Sequence, residues 1–199
     1  MHKVAIIGLG RMGSTIDDEA HFAVPYSIAA ATEASQELEL IAGADLLPDK
    51  RENFQQRWGA AVYEDYRQMI DKEKPDLVAI CTAACLPKPT DSVTDTSTRP
   101  DSHADLSIAV ADLGIPMIFC EKAMASSMAR ADEIRDAIKR NNTLFNTGVL
   151  RRFDNRYAAV KEAIAEGRIG EVKTVVHFAG SSLMHGHIHS IDTVSYLIG

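Results

Sequence analysis

The chain runs to 199 residues, 46% hydrophobic and 25% charged, with a formal net charge of −7; that size can bury one sizeable core, or one domain and part of a second. The acidic balance, with Lys and Arg nowhere gathered into a stripe, argues against nucleic-acid partners and anionic membrane surfaces and points to small molecules. With no apolar run of about 18 residues and an N-terminus that enters a strand pattern instead of a signal peptide, a cytoplasmic location is expected.

Val4-Ala5-Ile6-Ile7 is a continuous apolar run of the kind that forms a parallel strand covered on both faces, and Gly8-Leu9-Gly10-Arg11-Met12-Gly13 follows without a gap. The spacing predicts strand, tight turn and helix start. Gly8 permits the turn, Gly10 lacks the Cβ that would keep a pyrophosphate off the main chain, and Gly13 lets the next helix lie close to the strand. The N–H groups of the helix start would then face the phosphates. Arg11 and Met12, inside the turn, join the three glycines as expected cofactor contacts; the plain alternative is a structural glycine turn.

The helix that should follow is interrupted by Asp17, Asp18, Glu19 and Pro25, and a helical pattern resumes over 27–35. An insertion therefore separates the glycines from the second strand, Leu38 to Ala44. Asp45 stands at that strand's carboxyl end, 32 positions beyond Gly13, where about 20 is usual for an acid that binds the adenosine ribose; the insertion accounts for the excess. A carboxylate there would repel a 2′-phosphate, so NAD is favoured, with NADP left open by Lys50 and Arg51. Alternatively Asp45 caps the helix from Pro48 to Trp58.

A helix over 64–72 and a strand over 76–82 come next, and Thr82, at the strand's carboxyl end, is counted among the cofactor contacts. The Pro-, Ser- and Thr-rich segment 83–100 is too long for an ordinary connection and reads as a lid or a loose insertion. Asp101 or Ser102 can cap a helix from His103 to Leu113, followed by a strand from Ile115 to Cys120. Cys81, Cys85 and Cys120 lie in apolar settings and are read as reduced core thiols. Glu121 and Lys122 then fall at the mouth of the crevice, where an ammonium can hydrogen-bond a substrate oxygen or touch the cofactor. The alternative is a solvated ion pair opening a helix over 126–140.

A short strand over 143–147 leads to Gly148. Arg152 precedes a helix over 154–166, and Val172 to Phe178 alternates like a half-buried strand. His185, His187 and His189 alternate ahead of Asp192. Such a cluster can hold a metal, but no cysteine or second carboxylate lies nearby. His185 and His189 are read as substrate ligands, with a purely structural histidine pair as the alternative, and no metal is expected.

Taken together, GLGRMG at 8–13, CEKAMA at 120–125, NTGVLRRFD at 146–154, GRIGEV at 167–172 and HIHSIDTVSYLIG at 187–199 resemble the Gfo/Idh/MocA family (glucose-fructose oxidoreductase and inositol dehydrogenase). The matches run in family order over essentially the whole chain. Ala123 stands where the family usually has proline in its CEKP-type motif. The resemblance implies an α/β fold: a doubly wound parallel Rossmann domain over 1–147, then over 148–199 the incomplete start of an α+β substrate domain with an open sheet. Homo-oligomerisation through that sheet is implied as well. It places His189 at the catalytic histidine, Asp192 at the aspartate of H-x-x-D, and Arg152 near the substrate. His185 falls where many relatives carry Asp or Asn. The expected reaction is hydride transfer between NAD (or NADP) and a secondary alcohol of a sugar or polyol, with His189 as base, Lys122 polarising the oxygen, and Glu121 and Asp192 setting those two. The alternatives are a non-catalytic NAD-binding sensor or subunit and an NAD-dependent glycosidase.

Overall fold

Strands buried on both faces can be read as unbroken apolar runs, and this chain supplies enough of them to build one sheet. The computed structural model describes residues 1–19, 24–83, 101–178, 180 and 186–199. Six strands, β1 (His2–Ile7), β2 (Leu38–Ala44), β3 (Ala61–Tyr63), β4 (Leu77–Ile80), β5 (Met117–Cys120) and β6 (Leu144–Thr147), lie in the order β3-β2-β1-β4-β5-β6. All five pairings are parallel. The chain therefore runs one way from β1 and the other way from β4, which opens a crevice at their carboxyl ends.

Among the described residues, five α-helices flank this sheet: α1 (Ile28–Glu33), α2 (Pro48–Trp58), α3 (Tyr66–Glu73), α4 (Ser102–Asp112) and α5 (Met128–Asn141). On one face Ala5, Ile7, Val78, Ile80 and Ile118 pack with Met69 of α3, Val110 of α4 and Ala137 of α5. On the other, Ile6, Leu40 and Ala79 pack with Ala29 of α1 and Phe54 of α2. Side chains of Ser27, Asp65, Asp101 and Ser127 accept N–H bonds from the first turns of α1, α3, α4 and α5. The acidic interruption after the glycines has a structural use. Asp17 accepts the N–H groups of Tyr26 (2.6 Å) and Ser27 (3.0 Å), and Asp18 pairs with Arg57 of α2 at 2.7 Å.

Three sequence expectations change. β3 is a three-residue edge strand that the pattern did not announce, so the strand over 76–82 is the fourth and not the third. The helix expected to open at residue 126 starts at Met128, with Ser127 as its cap. The alternation from Val172 to Phe178 does not become a strand: among the described residues nothing pairs with it, and Val176 and Phe178 are 69% and 91% exposed. A strand pattern without a partner's ladder leaves its N–H and C=O groups to solvent.

The described residues fall into two compact units, Met1–Thr147 and Gly148–Gly199. The second contains α6 (Asn155–Ala165), capped by Asp154, and α7 (Ile188–Ile198), with a short 3-10 turn from Leu150 to Phe153. The expected lid segment lies almost wholly outside the described residues, which omit 84–100.

Candidate active site

The turn after β1 needs its glycines for three different reasons. Gly8 has φ +94°, in the left-handed region, and a Cβ there would lie 2.6 Å from the Thr82 nitrogen. At Gly13 a Cβ would come within 2.1 Å of the Gly8 carbonyl oxygen, so the main chain closes on itself only without a side chain. Among the described residues Gly10 faces open space, with only the Lys50 ammonium within 4 Å, at 3.4 Å from where a Cβ would be. Room beside the main chain, a cation across it and the helical N–H groups from Arg11 onward make a cradle for phosphate. Met12 packs against the core, and the Arg11 guanidinium pairs with Glu19.

Asp45 is tied to this turn. Its Oδ2 accepts the Leu9 N–H at 2.9 Å, and its Oδ1 accepts the Leu47 N–H at 3.0 Å. The N-cap of α2 is Leu47, with no side-chain bond, so Asp45 is not that helix's cap. Each carboxylate oxygen keeps a further lone pair for a hydroxyl. Arg51 is held by the carbonyls of Asp45 (2.7 Å) and Leu46 (3.0 Å).

At the ends of β4 and β5, Glu121 is 4% exposed, which rules out the solvated ion pair considered from the sequence. Burial pushes its carboxyl up from the ordinary value; the Lys122 N–H at 3.3 Å and the charges of Lys122 and His103 oppose that shift. Lys122 is half-buried, and its peptide bond to Ala123 is cis. Thr82 Oγ1 lies 3.2 Å from Ser102 Oγ. Cys120 is pushed up to about 12 and Cys81 well above its ordinary value, both by burial, so these thiols stay protonated. His103, at the start of α4 and 1% exposed, joins this group; nothing in its local sequence marks it.

In the second unit, Asp192 does not stand alone beside His189. Arg152 pairs with it, Nη2 to Oδ1 at 2.6 Å, which raises the guanidinium's pKa. Arg152 also lies 5.4 Å from the Tyr196 ring centre. Asp192 Oδ2 and His187 Nδ1 are buried atoms without a hydrogen-bond partner among the described residues. The His189 carbonyl accepts from Thr193 Oγ1 at 2.6 Å. His185 lies outside the described residues.

Residues 2–149 match the Gfo/Idh/MocA family, described as an oxidoreductase family with an NAD-binding Rossmann fold. The chain belongs to the Gfo/Idh/MocA family. Among its relatives, the inositol 2-dehydrogenase of Rubrobacter xylanophilus is 30% identical over 168 residues, 84% of this chain and 40% of the relative. The myo-inositol 2-dehydrogenase of Thermotoga maritima is 24% identical over 212 residues, 99% of this chain and 55% of the relative. An oxidoreductase from Agrobacterium radiobacter, solved with NAD+, L-tartaric acid and magnesium, superposes with a TM-score of 0.75 at 18% identity, over 100% of this chain and 55% of that one, and shows the fold alone. The chain spans about half the length of the curated relatives it matches. NAD, the cofactor of the family's Rossmann fold, fits the residues present: the open space at Gly10 beside Lys50 suits a diphosphate, and the tethered Asp45 suits a ribose.

Proposed function

We propose that this Gfo/Idh/MocA chain takes part in NAD-dependent oxidation of a secondary alcohol on a sugar or polyol, with cyclic polyols of the inositol type as the substrate class. The carrying observation is the glycine turn, open at Gly10, closed at Gly13 and pinned through Leu9 to the Asp45 carboxylate. The relatives' names, inositol 2-dehydrogenase, support the substrate class. Bound NAD would supply the hydride acceptor. The chain's part is the proton: as the C–H bond of the carbinol breaks, the O–H proton must leave as well. Lys122 would hold the substrate oxygen by a hydrogen bond and His189 would accept the proton. Buried Glu121 would orient Lys122, and Arg152, through its pair with Asp192, would position the start of α7. Asp45 supports NAD over NADP, because its charge opposes a 2′-phosphate. The two proposed domains are a cofactor domain over 1–147 and part of a substrate domain over 148–199.

Calorimetric titration with NAD and NADP, together with NADH production on a panel of inositols, other polyols and sugars, tests the proposal. Binding of NAD with NADH release on a polyol is expected. Failure of both cofactors to bind would remove the reading. A second reading, NAD binding without turnover, is favoured by the segment 171–178 of the second unit, which has no strand partner among the described residues; binding with no NADH from any substrate would establish it.

A further inference from the structure

β4 and β5 are held together by their ladder up to the bond from Glu121 N–H to the Ile80 carbonyl, 2.9 Å. Just beyond it, where the crevice begins, a side chain takes over. The His103 ring lies between the two segments, with Nε2 2.8 Å from the Thr82 carbonyl oxygen and Nδ1 2.7 Å from the Ala123 carbonyl oxygen. A carbonyl oxygen only accepts. A neutral imidazole carries one N–H, which would leave its other nitrogen's lone pair aimed at a carbonyl lone pair; only a ring with a proton on both nitrogens donates to both.

The surroundings suit such a ring. Glu121, 4% exposed, lies in the same buried region; burial raises its carboxyl from the ordinary value, and the Lys122 N–H and the charges of Lys122 and His103 oppose that rise. Among the described residues, the other charged groups on the elements packed here include Asp101 at the start of α4, Lys122 after β5, the pair of Asp105 on α4 with Arg130 on α5, and the pair of Asp112 on α4 with Arg140 on α5; the remaining charges of α5 are Asp132, Glu133, Arg135, Asp136 and Lys139. Cys81 and Cys120 are uncharged. Asp101 adds a parallel tie, accepting the Ser126 N–H at 2.7 Å and the Ala104 N–H at 3.4 Å.

We propose that His103 is a positioning residue, an imidazolium strut between the carboxyl ends of β4 and β5 that sets the spacing of Thr82 and Lys122 at the cofactor crevice. The inference rests on the proposed cofactor-facing role of Thr82 and Lys122. A residue needed only for packing would be replaceable by any group that fills its space; the strut requires two donors on opposite sides of one ring.

Nitrogen-15 NMR of the histidine side chains in the 199-residue chain at pH 7, with His103→Gln supporting the assignment, gives a direct readout. The expected spectrum shows both His103 nitrogens protonated. A neutral tautomer would overturn the strut. Calorimetry well below the melting temperature, with folding of each protein checked by circular dichroism, is expected to show at least a tenfold weaker NAD affinity for folded H103Q, whose single amide nitrogen cannot reach both oxygens. Unchanged affinity in folded H103Q would overturn the positioning role. Should H103Q not fold, or should the wild type bind no NAD, the wild-type histidine spectrum, assigned by through-bond correlation of each ring to its own backbone, decides the strut by itself. Absence of NAD binding by the wild type counts against the proposed function alone.

Discussion

The two units of this chain solve the same problem to different degrees. In Met1–Thr147 every central strand has a neighbour on each side and helices over both faces, so that Phe54, Ile6 and Ile80 are 0% exposed. In Gly148–Gly199 the apolar residues are as plentiful, yet Phe153 and Ile169 stand 67% and 68% exposed, and an open groove of about 400 Å³ runs between Ile164, Val172, Val175, Leu197 and Ile198. What separates the two is the ladder. Apolar side chains leave water only when main-chain polar groups beside them have partners, and a lone extended segment offers none.

That contrast can be broken or sharpened by substitution, beginning with the largest expected effect. Gly13→Val places side-chain atoms where even a Cβ would sit 2.1 Å from the Gly8 oxygen, so a loss on the order of 4–5 kcal/mol is expected, read by urea unfolding, with NAD binding abolished. Gly10→Ala is the partner test: with open space at that position, stability should hold within about 0.5 kcal/mol while NAD affinity falls at least tenfold by calorimetry. Phe54→Ala should cost about 3–5 kcal/mol, whereas Phe178→Ser should change stability by less than about 0.5 kcal/mol. Equal costs would show that the second unit is as well buried as the first. Asp45→Ala removes the acceptor of the Leu9 and Leu47 N–H groups and should cost about 1–3 kcal/mol, with weaker NAD binding on the same titration.

In the second unit the effects should be smaller. Arg152→Ala breaks a pair whose guanidinium is 40% exposed, so a cost of about 0.5–1 kcal/mol is expected in thermal melts. The smallest effect concerns pH. The Arg156 side chain and main-chain N–H hold the Asp154 carboxyl down at about 2. Because this folded value lies below the ordinary one, its help to α6 is complete above about pH 4 and is lost as the pH falls through about 2. Amide exchange of the first turn of α6 should speed up over that window in the wild type and stay flat in Asp154→Asn.

Much of the first unit was legible because its signals are local. β1, β4 and β5 are apolar runs, the glycine turn follows its strand directly, and caps such as Ser27 and Asp154 sit within three residues of the N–H they bind. β3 escaped because Ala61-Val62-Tyr63 is too short to show a period. The candidate site was legible as residue types and not as partners. Glu121 and Lys122 were recognisable at a strand end, but the burial of Glu121 was not, since it depends on packing between segments that a strand-end pattern does not record. Asp192 was expected to serve His189; its actual ion-pair partner, Arg152, lies 40 residues upstream.

The amino-acid sequence alone determined the Rossmann unit and its cofactor turn, because backbone freedom at Gly8, the missing Cβ at Gly13 and the two-sided burial of the strands are written in consecutive residues. Only the tertiary structure decided which groups share a proton or a charge. It brought His103 between two carbonyls that lie 20 and 21 residues away along the chain in opposite directions, set Arg152 on Asp192, and left Val172 to Phe178 without a ladder among the described residues. A hydrogen bond or an ion pair depends on distances between segments, and a sequence pattern records only the neighbours within one.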